Sequence, residues 1–168
     1  TRLCDVSAAA LAPASDRIAA SVPTGPAKGN TPASARAQLS RCLPTSTDIA
    51  AACPASDFVI EALPALLDLK ASIFAQVEQV VSSDAILATN TSSLPVTDLA
   101  SGLQHPQRFV GMHFFNPVPI MALVEVVRGA ASSESTVEAA VSLAVALGKE
   151  PIVVQDSPGF ATSRLGLV

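Results

Sequence analysis

Apolar positions along this chain fall into short runs of strand length, separated by longer stretches with helical spacing. Residues 2–6 read as the end of a strand. Ser7 reads as an N-cap, opening an Ala/Leu/Ile-rich helix that extends to about Val22. Pro13 falls inside that stretch and predicts a kink or interruption, because it lacks an N–H and crowds the preceding turn. Residues 23–26 break the chain. Thr31-Pro32 then predicts a helix over residues 31–42, with proline at the first helical position. Asp48 opens another short helix. Residues 58–63 form an apolar run of strand length. Residues 69–81 place Leu69, Ile73, Val77 and Val80 or Val81 on one helical face.

Residues 85–91 predict a second buried strand, and residues 96–103 a short helix with Thr97 or Asp98 near its start. Residues 109–114 and 123–127 predict two further strands. Ser133 caps a helix that carries Glu134 in its first turn and ends at Gly148. Residues 151–155 predict a last strand, and Ser157-Pro158-Gly159-Phe160 begins a further element. Strands alternating with helices point to an α/β fold with a mostly parallel sheet and helices on both faces. The later strands follow one another directly, which predicts an antiparallel hairpin within that sheet. There is no internal repeat.

The length of 168 residues suffices for one real core, and the composition, 49% hydrophobic and 14% charged, excludes a disordered chain. A net charge of −4, with no basic block, predicts no nucleic-acid partner. No apolar run reaches membrane-spanning length, and no basic segment followed by an apolar one marks a signal peptide, so no membrane association is expected. Cys4, Cys42 and Cys53 show no metal-ligand spacing. They read as small core residues with free thiols, which points to a reducing compartment, cytoplasm or organelle matrix, and to no structural metal.

The candidate chemistry rests on one of only two histidines. His113 lies in the run Met112-His113-Phe114-Phe115-Asn116-Pro117, and Glu125 follows twelve positions on, within Leu123-Val124-Glu125-Val126-Val127-Arg128. Histidine titrates near neutrality and serves as a base at working pH. A carboxylate hydrogen-bonded to the ring fixes its tautomer and raises its basicity. Taken singly, His113 could equally be a satisfied core histidine, and Glu125 a solvated strand residue.

The runs Ala88-Thr89-Asn90-Thr91-Ser92-Ser93-Leu94, Gly111-Met112-His113-Phe114-Phe115-Asn116-Pro117-Val118-Pro119 and Leu123 to Gly129, with Leu147-Gly148-Lys149 and Val154 to Phe160, resemble the NAD-binding domain of 3-hydroxyacyl-CoA dehydrogenase. The resemblance extends from Asp5 to Arg164. It implies a Rossmann-like domain and a catalytic set of His113, Glu125 and Ser92. His113 would be the base toward the substrate 3-hydroxyl, Glu125 its partner, and Ser92 a hydroxyl near both nicotinamide and acyl substrate. It implies NAD as cofactor, contacted by Asp5, Lys70, Ser92 and Asn116. An acid at a strand end accepts hydrogen bonds from ribose hydroxyls and repels a 2′-phosphate, favouring NAD over NADP. It also implies an acyl-CoA substrate, contacted by Ser21, Lys28 and Ser92.

The sequence departs from the family in four respects. No G-x-G-x-x-G turn lies before Asp5, so a first strand and the phosphate-binding turn are absent. Ala65 stands where the family often has a cofactor-side glutamate, and Ser163 where an asparagine usually precedes the arginine. The chain begins with Thr1 and stops at Val168. The expectation is therefore a fragment: residues 1–157 an incomplete NAD-binding domain, and residues 158–168 the start of a helical C-terminal domain through which the whole enzyme forms a homodimer. The whole would oxidise (3S)-3-hydroxyacyl-CoA to 3-oxoacyl-CoA, the fragment alone being inactive. The alternatives are a non-catalytic nucleotide- or acyl-CoA-binding remnant, and another dehydrogenase of the same fold acting on a sugar or hydroxy acid.

Overall fold

The computed structural model describes residues 1–21 and 43–161, which fall into two units, Thr1–Pro54 and Ala55–Val168. The expected helix over residues 31–42 lies outside the described residues, as do Lys28, Cys42 and Ser163.

In the first unit, β1 (Leu3–Cys4) pairs in parallel with β2 (Thr45–Ser46). Ser7 caps α1 (Ala8–Leu11), its Oγ accepting the Ala10 N–H at 3.3 Å. Pro13 ends that helix outright, and the chain restarts as α2 (Ala14–Ser21). Asp48 caps α3 (Ile49–Ala52), with Oδ1 accepting the Ala50 N–H at 2.9 Å. Cys53 is buried, as a small core residue should be. Cys4 is exposed, which corrects the expectation: strand alternation turns Leu3 inward and Cys4 outward.

The second unit holds a five-stranded sheet in sequence order: β3 (Phe58–Glu61), β4 (Ile86–Thr89), β5 (Phe109–Phe114), β6 (Leu123–Arg128) and β7 (Glu150–Gln155). All neighbours are parallel except β5 and β6. Helix α4 (Leu67–Glu78) links β3 to β4, α5 (Val96–Ala100) follows β4, and α6 (Glu134–Ala146) crosses from β6 to β7. A single 3-10 turn, Pro106–Arg108, precedes β5.

Alternation divides each strand between two cores. Ala88, Val110, Met112, Val124 and Val126 pack against Val137, Ala140 and Ala144 of α6. The residues between them, Leu87, Phe109, Gly111 and Val127, turn to the opposite face, where α4 and α5 lie. There Phe74 of α4 meets Phe109 edge-on, ring centroids 4.6 Å apart. Gly111 lets α5 approach closely: a Cβ there would stand 2.7 Å from Val127 Cβ and 2.9 Å from Val96 Cγ2.

Helix α4 buries a face rotated from the expected one, sharing Val77 with it. Lys70, Phe74 and Val77 point inward, whereas Leu69 is 39% exposed. A charged residue at the centre of the buried stripe hides it from a hydrophobicity reading. The helix ends at Glu78, whose carboxylate accepts the N–H groups of Gln104 and His105 at 2.8 and 2.9 Å and pairs with Arg108. Helix α6 begins and ends as expected. Ser133 Oγ accepts the Thr136 N–H, and Gly148 takes φ +73° while Gly148 and Lys149 donate to the carbonyls of Val145 and Ala144.

Candidate active site

The hairpin register builds the site. In the antiparallel β5–β6 pair, His113 stands directly opposite Glu125, so both side chains leave the same face of the sheet. It is the α4 and α5 face, and the pair sits near the carboxyl end of β5. His113 Nδ1 and Glu125 Oε2 are 2.7 Å apart, with His113 7% and Glu125 0% exposed. Full burial excludes a solvated strand role for Glu125. An ionised carboxylate only accepts, so Nδ1 carries the proton and Nε2 keeps the lone pair. Nε2 has no hydrogen-bond partner among the described residues, as a base requires.

Two aromatic rings flank the imidazole. Phe115 lies 4.4 Å away and Phe160 5.9 Å away, centroid to centroid. Glu125 Oε1 accepts the Ala161 N–H at 3.1 Å, from the turn that follows β7. Asn90 extends β4 where its ladder ends: its Oδ1 accepts the Phe114 N–H at 2.9 Å and its own N–H donates to the Glu61 carbonyl at 2.8 Å. Sequence reading assigned no role to Phe115, Phe160, Ala161 or Asn90. Phe160 lay in a quoted motif, but its neighbour His113 is 47 positions away, and only the fold shows the contact.

Lys70 is 1% exposed, so it is not a solvated lysine on the helix surface. Its Nζ lies 2.5 Å from Glu61 Oε1, and Glu61 Oε2 accepts the Thr89 hydroxyl at 2.7 Å. Glu61 also accepts the Leu63 N–H. Glu61 and Thr89 are register partners on β3 and β4, so this buried group shares the face used by His113 and Glu125. Glu61 was read only as part of a strand; a lone carboxylate in an apolar run was its one signal.

Ser92 and Asn116 are exposed and follow the carboxyl ends of β4 and β5, two adjacent parallel strands. They therefore leave the same edge of the sheet, beside the end that carries His113. In the first unit, Asp5 follows β1, with Oδ1 accepting the Ser7 N–H at 2.8 Å. An open cleft there is lined by Ala8, Leu11, Ala12, Thr45, Ser46 and Thr47. Ser21 closes α2. Among the described residues, no group of three His, Cys, Asp or Glu side chains is placed to hold a metal.

A mostly parallel sheet with helices on both faces and a buried histidine–carboxylate pair near its carboxyl edge is the architecture of a nucleotide-dependent dehydrogenase domain. The family model "3-hydroxyacyl-CoA dehydrogenase, NAD binding domain" matches residues 1–157, and the chain belongs to that family. It is 50% identical over 109 residues to the fatty acid oxidation complex subunit alpha of Idiomarina loihiensis, covering 65% of this chain and 15% of that protein. It is 46% identical over 121 residues to a probable 3-hydroxyacyl-CoA dehydrogenase of Caenorhabditis elegans, covering 72% of this chain and 41% of that protein. The fold superposes on the crystal structure of 3-hydroxybutyryl-CoA dehydrogenase from Escherichia coli K12 with TM-score 0.87 and 39% identity, over 94% of this chain and 33% of that one. With FadB2 of M. tuberculosis the TM-score is 0.89 at 32% identity, over 98% of this chain and 58% of that one. The chain thus spans less than half the length of these two curated relatives.

The residues present fit NAD in two respects. Asp5 has a second carboxylate oxygen beyond the one used by Ser7, and Ser92 and Asn116 are exposed at the sheet edge where such folds bind nucleotides. The glycine-rich turn is not in this sequence.

Proposed function

We propose that the protein containing this chain oxidises a (3S)-3-hydroxyacyl-CoA to the 3-oxoacyl-CoA with NAD. The observation that carries this reading is the 2.7 Å contact between His113 and a fully buried Glu125, with Nε2 left open. His113 Nε2 accepts the proton of the 3-hydroxyl. Glu125 holds the ring in the required tautomer and stabilises the imidazolium that forms. The Ser92 hydroxyl hydrogen-bonds the reacting oxygen. Bound NAD supplies the acceptor for the hydride that leaves the same carbon. Asp5 holds the adenosine ribose hydroxyls, and Asn116 makes a further contact with the cofactor. Lys70 serves the cofactor through its pair with Glu61, since its ammonium is already engaged there. Ser21 and Lys28 contact the coenzyme A tail.

Residues 1–157 act as the NAD-binding domain, and residues 158–168 lead to a helical domain that forms a homodimer. The free thiols of Cys4 and Cys53 suit a reducing compartment, cytoplasm or organelle matrix. Among the described residues, no helix is long and apolar enough to cross a membrane.

The test is His113→Gln in the full-length protein. Reduction of acetoacetyl-CoA by NADH is expected to fall by about 10²–10⁴-fold, the usual worth of a general base, with NADH affinity unchanged. Turnover near the parent level would exclude His113 as the base.

A further inference from the structure

The turn after β7 carries an unusual backbone. Ser157 accepts the Phe160 N–H at 2.8 Å, with Pro158 and Gly159 between them, and Gly159 takes φ +73° as this turn requires. Phe160 then also takes a positive φ, +46°. For a bulky side chain that conformation is unfavourable and persists only where the surroundings impose it. Here two contacts impose it. The Phe160 ring is 2% exposed and lies 5.9 Å from the His113 imidazole, at 58°. The next residue, Ala161, donates its N–H to Glu125 Oε1. The bend at Phe160 thus places a ring against the base and an amide on its carboxylate together.

We propose that Phe160 is a positioning residue for the base. Its ring fills the space beside the imidazole and keeps water from the His113–Glu125 bond, while its left-handed backbone aims the Ala161 amide at Glu125. The proposal rests on the dehydrogenase reading above and adds a residue to it. A ring held in an unfavourable backbone conformation beside a buried imidazole–carboxylate pair maintains that pair in one geometry.

The test compares Phe160→Gly and Phe160→Leu with the parent full-length protein. Glycine adopts φ +46° without strain, so Phe160→Gly keeps the backbone and deletes only the ring. Its kcat for acetoacetyl-CoA reduction is expected to fall at least tenfold, with KM for NADH within twofold of the parent. The proton NMR signal of the imidazole Nδ1–H, held from solvent in the parent, is expected to broaden through exchange. Phe160→Leu, which keeps part of the volume, is expected to fall between the two. A kcat within twofold of the parent and an unchanged Nδ1–H signal in Phe160→Gly would overturn the proposal. If that variant does not fold, Phe160→Leu decides, and parent-like kcat there overturns it. His113→Gln separates the two readings. If it is inactive while Phe160→Gly is fully active, the positioning role fails and the base assignment stands. If it remains active, the base assignment itself fails.

Discussion

At the scale of the residue, the chemistry depends on how one carboxylate is surrounded. Glu125 is fully buried, and its oxygens face an imidazole and a backbone amide. Removing a charge-bearing partner from such a pair costs more than it does at a surface, because water cannot replace the lost bond. Glu125→Gln keeps the shape and removes the charge that stabilises imidazolium. Its kcat is expected to fall by about 10²-fold while the fold is retained, measured by steady-state kinetics beside a circular dichroism melt. Parent-like kcat would show that the carboxylate is only structural. The sequence made His113 and Glu125 visible because each belongs to a run with a distinctive motif. Phe160 was hidden, because its role comes from a turn that brings it back across the sheet.

At the scale of the element, the register of β5 on β6 and the approach of α5 decide where the His113 imidazole points. Gly111 lies two residues before His113 on the same face, against Val96 and Val127. Gly111→Ala would put a methyl into contacts of 2.7 and 2.9 Å. It is expected to destabilise the protein by about 1–3 kcal/mol, as overpacking does, and to lower activity by displacing β5. Denaturant unfolding followed by fluorescence of a bound dye checks this, and an unchanged midpoint would refute the close fit. Most elements were legible: the strand over residues 109–114, the Ser133 cap and the Gly148 stop all follow from local patterns. The inward face of α4 was not, since a lysine paired with Glu61 occupies its centre. Periodicity of apolar residues cannot register a charge that is buried because of a partner from a different element.

At the scale of the whole molecule, pH acts on the fold through Glu78. Burial alone pushes this carboxyl up, but the N–H groups of Gln104 and His105 and the Arg108 guanidinium outweigh it and hold the group below its ordinary value. A depressed folded-state pKa contributes stability that is fully present above the unfolded value. That stability is lost as pH falls through the lower folded value. The melting temperature is therefore expected to decline on acidification below about pH 4.5, the ordinary glutamate value. Glu78→Gln is expected to start lower at pH 7 and to show a shallower acid decline; a decline as steep as the parent's would remove Glu78 from the account. The class of fold was legible at this scale from the alternation of strands and helices. The sequence reading did not anticipate the division at Pro54, although every phenylalanine of the chain lies beyond it.

The opposition of His113 and Glu125 also guards the assembly of the hairpin itself. A slip of one residue between β5 and β6 would swing Glu125 to the side of Val124 and Val126, among the alanines of α6. An unpaired carboxylate there costs several kcal/mol. Mispaired molecules are therefore penalised by the same carboxylate that the proposed mechanism uses, so a chain that holds its acid comfortably has already zipped its strands in the one arrangement that sets it against the imidazole.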